Sequence, residues 1–143
     1  MSAGPPQVLF LCVHNAGRSQ MAAAILSKRA GTGVVVHSAG SDPADTLNPS
    51  VVTALAEWDL DITQERPKRL TDDMARAADV IVTMGCGDSC PVYPGKRYVD
   101  WELPDPAGRP IEEVRAIRDE IAARVDALVT ELGAAPAPPR DQG

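Results

Sequence analysis

Val8-Leu9-Phe10-Leu11-Cys12-Val13-His14-Asn15-Ala16-Gly17-Arg18-Ser19 is the stretch whose reading decides the fold. An apolar run of strand character ends at a cysteine, and a short loop closed by Gly17, Arg18 and Ser19 follows. The run Met21-Ala22-Ala23-Ala24-Ile25-Leu26 then opens a helix. Amide N–H groups at a helix start have no intrahelical partner, and with the helix dipole they form a cradle for an anion. The amides of Val13, His14, Asn15, Ala16, Gly17 and Arg18 are the candidate oxyanion binders, and the Arg18 guanidinium adds a planar fork for two oxygens. Cys12 lies in that positive field, which favours its thiolate, and Ser19 can donate a hydrogen bond to the sulfur. The plainer reading is a buried structural cysteine beside a surface arginine. The glycine, the strand and the helix onset all agree with the reactive one.

Working outward, Gln7 to Val13 reads as a central parallel strand buried on both faces. Ser19 to Ala30 reads as the first helix, ended by Gly31 to Gly33. Val34-Val35-Val36-His37-Ser38 reads as a second strand closed by Ala39-Gly40. Strand, helix and strand within about thirty residues make a βαβ unit with a right-handed crossover, hence an α/β protein with its chemistry at the carboxyl ends of the strands. Asn48 with Pro49 starts a second helix, expected to reach Trp58. Thr71 caps a short helix to Ala77. Asp79 to Met84 and Lys96 to Trp101 read as the third and fourth strands. Val114, Ile117, Ile121, Val125, Leu128 and Leu132 recur at three- and four-residue steps, so Ile111 to Leu132 is a long helix with one face on the sheet. Residues 1–133 read as a single domain, and the Ala- and Pro-rich tail 134–143 as disordered.

The chain has 143 residues, 44% hydrophobic and 24% charged, enough for one real core. A net charge of −6 and 3% aromatic content speak against a nucleic-acid partner. No apolar run suits a membrane span. Met1-Ser2-Ala3-Gly4-Pro5-Pro6 lacks the charged and apolar regions of a leader, so a cytoplasmic setting is expected. Three cysteines in such a setting point to redox or catalytic work.

Asp105, before Pro106, reads either as the start of a turn or as a general acid: a carboxyl near a bound anion favours its protonated form, and a leaving oxygen needs that proton. Cys86 and Cys90 are four apart. On a helix their Cβ atoms would be about 5–6 Å apart, whereas a disulfide wants roughly 3.5–4.5 Å. Gly85, Gly87 and Pro91 permit the local unwinding that pairing requires. A redox-active pair and two thiols without a role both fit. A structural zinc site does not, because His14 and His37 are too separated to complete four ligands. His14 serves through its backbone amide or as a proton carrier, Asn15 braces the loop, His37 reads as a packed, hydrogen-bonded histidine, and Trp58 and Trp101 read as core or edge packing.

Taken together, Cys12 to Ser19, Ser38-Ala39-Gly40, Asp105-Pro106-Ala107-Gly108 and Arg115-x-x-Arg118-Asp119-Glu120-Ile121 resemble arsenate reductases on the low-molecular-weight protein tyrosine phosphatase fold, over nearly all of Val8 to Leu132. The likeness is to the three-cysteine, thioredoxin-coupled type. It implies a single-domain, three-layer α/β/α fold with a four-stranded parallel sheet flanked by helices. It implies that Cys12 attacks arsenate held by the loop amides and Arg18, while Asp105 protonates the leaving oxygen. Cys86 then attacks Cys12 and arsenite leaves, and Cys90 attacks Cys86 to move the disulfide to Cys86–Cys90. Thioredoxin would reduce that pair, drawing on NADPH through its own reductase. Phosphate or sulfate would mimic the substrate. The spacing of Cys86 and Cys90 is shorter than in the members compared. Some relatives bind potassium partly through a glutamate on the first helix, where this chain has Ala22, Ala23 and Ala24, so no bound metal or cofactor is expected. Relatives coupled to mycothiol lack the extra thiol pair.

Two rivals remain. A protein tyrosine phosphatase of the same fold would share the loop and the Asp-Pro acid, but usually follows that acid with aromatic residues where Ala107 and Gly108 stand here. A weak aryl phosphatase side activity is expected in either case. A thiol switch without turnover would use the three cysteines but has no need of the arginine cradle.

Overall fold

The computed structural model describes residues 5–85 and 96–132. The expected thiol segment, with Cys86 and Cys90, and the tail 134–143 lie outside them. The order of elements is β1 (Gln7–Cys12), α1 (Arg18–Ala30), a 3-10 turn (Gly31–Gly33), β2 (Val35–Gly40), α2 (Pro49–Ala56), α3 (Asp72–Ala77), β3 (Val80–Thr83), β4 (Arg97–Asp100) and α4 (Ile111–Leu132). The four strands form one parallel sheet in the order β2-β1-β3-β4. β1 is therefore central, as its continuous apolar sequence requires.

Alternation along β1 sends its side chains to two different cores. Val8, Phe10 and Cys12 face α1, α2 and α4, while Leu9 and Leu11 pack with Ala39, Ala78 and Ile81 on the side of α3. Phe10 is fully buried, and its ring lies 5.7 Å from that of Trp101, which packs in the core as expected. Removing such a ring would cost about 3–5 kcal/mol. The apolar face of α4 (Val114, Ile117, Ile121, Val125, Leu128) is buried as its periodicity dictates. No helix among the described residues is long and apolar enough to cross a membrane.

The observed ends differ from the sequence reading in ways the backbone explains. β1 stops at Cys12 rather than Val13, because the Val13 carbonyl turns away to accept from the Asp42 N–H at 2.8 Å. α1 begins at Arg18 rather than Ser19. β2 starts at Val35 and runs on to Gly40, which pairs with Cys12, so Ala39-Gly40 extends the strand and does not close it. α2 stops at Ala56, short of Trp58. Asp59 adopts a left-handed φ of 62°, and the Leu60 N–H returns to the Leu55 carbonyl at 3.0 Å, a six-residue closing turn. β3 and β4 are each one residue shorter at both ends, although Met84 N–H still bonds to Leu11 O at 2.8 Å and Trp101 N–H to Thr83 O at 2.9 Å.

Arg118 lies on the buried side of α4, a placement that the apolar pattern of the helix does not announce. Its guanidinium sits 4.1 Å over the Trp58 ring and donates to Ala54 O at 2.9 Å and to Glu57 at 2.7 Å. It therefore satisfies a carbonyl in the last turn of α2 and holds that end of the helix against α4. Arg115 grips the same carboxylate from the other side, with Nη2 at 2.7 Å. The start of α2, at Asn48 and Pro49, borders the cavity described below. Anchoring its far end fixes that border.

The hydrogen bonds from Arg115 and then Arg118 pull the Glu57 pKa from 4.5 down to about 2. A lowered folded-state value means that the pairing stabilises the fold fully above pH 4.5 and that this stabilisation fades as pH falls towards 2. Urea unfolding of Glu57→Gln beside the wild type should show a constant gap in midpoint above about pH 5 that closes through this window. A gap independent of pH would contradict the assignment.

Candidate active site

Parallel register brings the carboxyl ends of the strands level, and the loop after β1 emerges among them. Cys12 is 2% exposed. Its Sγ lies 2.9 Å from Ser19 Oγ and accepts the Asn15 N–H at 3.2 Å. Asn15 is wholly buried and takes a left-handed φ of 51°, which asparagine tolerates better than most residues.

The direction of each proton follows from groups that have only one role. The Lys68 N–H can only donate, and it points at Asn15 Oδ1 at 2.8 Å. That places Asn15 Nδ2 towards Ser19 Oγ, to which it donates at 2.7 Å. With Ser19 Oγ accepting there, its own hydroxyl proton is free to donate to Cys12 Sγ. Two donors thus converge on the sulfur, an arrangement suited to a thiolate. Gln20 is 2% exposed and clamps the loop from behind, its Nε2 lying 3.1 Å from both Asn15 O and Asn15 Oδ1 and 3.3 Å from Arg66 O. Sequence reasoning missed Gln20. The clue available was an amide in the first turn of a helix otherwise lined with alanine.

Arg18, 8% exposed, opens α1. Its Nη1 donates to Leu103 O at 3.1 Å, and Nη2 lies 3.8 Å from Asp105 Oδ2. Asp105 Oδ1 accepts the Ala107 N–H at 3.0 Å, and its carbonyl takes Arg109 Nε at 2.6 Å, so a turn and a carboxyl aimed at the arginine coexist in one residue. Gly17 permits the approach of this loop: a Cβ there would lie 2.8 Å from Pro106 Cγ. Gly17 at the N-cap position has no side chain with which to cap α1, which suits its first-turn amides to an anionic ligand.

These groups surround a cavity of about 330 Å³ bounded by Cys12, the loop from His14 to Arg18, Asn48-Pro49 and Asp105 to Gly108. Two larger hollows, of about 620 and 640 Å³, lie elsewhere and have no cysteine in their walls. His14 borders this cavity, and its Nδ1 lies 3.2 Å from Asp42 O, an acceptor, so that nitrogen carries the hydrogen. Val13 and Ala16 hold the loop through their carbonyls, which accept from Asp42 and Asn48. No phenylalanine, tyrosine or tryptophan borders the cavity among the described residues, and Ala107 and Gly108 line it beside Asp105 and Pro106. His37 stands half-buried in β2 with no ring hydrogen bond among the described residues, unlike the bonded histidine expected from sequence. The described residues thus bring Cys12, Arg18, Ser19, Asp105 and the loop amides together, and Cys86 and Cys90 lie beyond them.

The profile of the low molecular weight phosphotyrosine protein phosphatase family matches residues 7–137. An arsenate reductase of Brevibacillus brevis is 40% identical over 121 residues, covering 82% of this chain and 90% of the relative. The solved structure of a thioredoxin-dependent arsenate reductase from Corynebacterium glutamicum superposes with a TM-score of 0.81 at 49% identity over 93% of this chain. The chain spans only 64% of the length of that structure. An arginine phosphatase of Geobacillus stearothermophilus superposes with a TM-score of 0.79 at 28% identity, covering 90% of this chain and 94% of the other. The chain belongs to the low molecular weight phosphotyrosine protein phosphatase family, among its arsenate reductase members.

Proposed function

We propose that the chain reduces arsenate to arsenite by nucleophilic attack of Cys12, followed by a thiol relay through Cys86 and Cys90 that thioredoxin recharges. The observation that carries this reading is the convergence of Ser19 Oγ–H and Asn15 N–H on Cys12 Sγ in a cavity shared with Arg18 and Asp105. The thiolate attacks arsenic(V), an S–As bond forms, and one As–O bond breaks as Asp105 protonates the leaving oxygen. The Cys86 thiolate then attacks Cys12 Sγ. An S–S bond forms, the S–As pair of electrons goes to arsenic, and arsenite departs with arsenic reduced to the trivalent state. Cys90 attacks Cys86 Sγ and frees Cys12. Reduced thioredoxin takes the Cys86–Cys90 disulfide by the same exchange chemistry and is itself recharged by NADPH through thioredoxin reductase. A cytoplasmic setting suits such a relay because its thiols stay reduced between turnovers.

The loop amides of Val13, His14, Asn15, Ala16, Gly17 and Arg18 hold the tetrahedral oxyanion, and phosphate or sulfate fills the same cradle. The reading is supported by relatives named arsenate reductases and by the C. glutamicum protein, which depends on thioredoxin. A phosphatase reading has the arginine phosphatase neighbour in its favour, but the lining at Ala107 and Gly108 offers nothing on which a phosphotyrosine ring could stack.

Purified protein with thioredoxin, its reductase and NADPH should oxidise NADPH only when arsenate is added, and faster than it hydrolyses an aryl phosphate; faster phosphatase turnover would reverse the assignment. Cys90→Ser should consume one arsenate per chain and stop as a Cys12–Cys86 disulfide, visible by mass spectrometry. Normal turnover with thioredoxin would exclude the relay. Asp105→Asn should slow single-turnover arsenite formation about 10²-fold or more while phosphate binding persists, as loss of a general acid predicts. An unchanged rate would remove Asp105 from the chemistry.

A further inference from the structure

Gly85 follows β3 and sits one residue before Cys86 in the chain. Its φ is +81°, in the left-handed region. A Cβ built there would lie 2.3 Å from Arg18 Nη1, 3.0 Å from Cζ and 3.2 Å from Nη2. The space that a Cβ at position 85 would need is therefore taken up by the guanidinium, most tightly at Nη1. The same guanidinium donates from Nη1 to Leu103 O and faces Asp105 on Nη2. Arg18 thus meets both the chain leaving β3 and the chain leaving β4.

We propose that Gly85 is a positioning residue for the oxyanion site, acting through Arg18: its bare backbone sets where the guanidinium fork stands. The inference rests on the proposed function and deepens it, because the residue that seats the anion-holding arginine also begins the stretch carrying Cys86. A side chain at 85 would drive the guanidinium aside by about 1 Å before ordinary contact is restored. Arg18 has little free space in which to yield, with 9% of its side chain exposed, and it would lose the bond to Leu103. A displacement of that size in a group that orients substrate is enough to cost about 10²-fold in rate.

Two substitutions separate collision from backbone strain. Gly85→Ala brings both. Gly85→Asn brings the same Cβ but tolerates the left-handed backbone better. Each is made in the wild-type background and in an Arg18→Lys background, where the slender ammonium carries no nitrogen at the point of collision. The readout is the inorganic phosphate concentration that protects Cys12 from alkylation, with thermal melting to confirm folding. Both substitutions should weaken phosphate protection at least about tenfold in the wild-type background, and no more than about twofold in the Arg18→Lys background. Equal weakening in both backgrounds, or full affinity in folded Gly85→Asn, would overturn the role of Gly85 and leave the proposed function standing. Failure of phosphate to protect the wild type would overturn both.

Discussion

A single backbone N–H, that of Lys68, decides which way Asn15 faces, and from that choice the polarity of the site follows. Asn15 Oδ1 is committed to Lys68 and to Gln20, so Nδ2 must donate to Ser19, and the Ser19 hydroxyl is left to donate to Cys12 Sγ. The side chains of Cys12, Asn15, Ser19 and Gln20 are all buried, where a hydrogen bond left unmade costs about 1–3 kcal/mol, so the alternative orientations are disfavoured together. The network therefore does two things at once. It keeps Asn15 in its left-handed conformation and it keeps donors aimed at the sulfur before any substrate arrives.

The sheet supplies the frame for that network. With β1 central and all strands parallel, the chains leaving the four strands meet at one end, and each brings one necessary group. The exit from β1 carries the thiol and the loop. The segment beyond β2 reaches α2, whose start borders the cavity and whose far end is fixed by Arg118. Gly85 follows β3 and packs on Arg18, while Leu103 and Asp105 follow β4 and meet the same guanidinium. Arg18 is thus the point at which both distant exits touch the loop of the first strand.

The parts legible in the sequence were those written in local pattern. The apolar run of β1, the Asn48-Pro49 cap and the stripe of α4 each depend on neighbours in sequence, and the structure shows them where the pattern places them. The Cys12 to Ser19 loop was readable for the same reason, since strand end, glycine and helix start lie within eight residues. Gln20, Arg118 and Gly85 were not. Gln20 matters because it reaches Arg66, and Arg118 because it reaches Ala54 and Trp58; Gly85 matters because Arg18 lies against it. Each of these contacts spans more than forty residues of chain, and no periodicity records them. Boundaries slipped by a residue or two where a backbone group turned aside, as Val13 O does towards Asp42.

The central claim is that Cys12 is held ready for attack by the donors converging on its sulfur. Its rate of carboxymethylation by iodoacetate at neutral pH, compared between the wild type and Ser19→Ala, tests this most directly. A hydrogen bond to a charged sulfur is worth about 1.5–3 kcal/mol, so the substitution should slow the reaction about tenfold or more, and phosphate should protect the wild-type thiol. A Cys12 that reacts no faster in the wild type than in Ser19→Ala, with phosphate making no difference, would contradict the account.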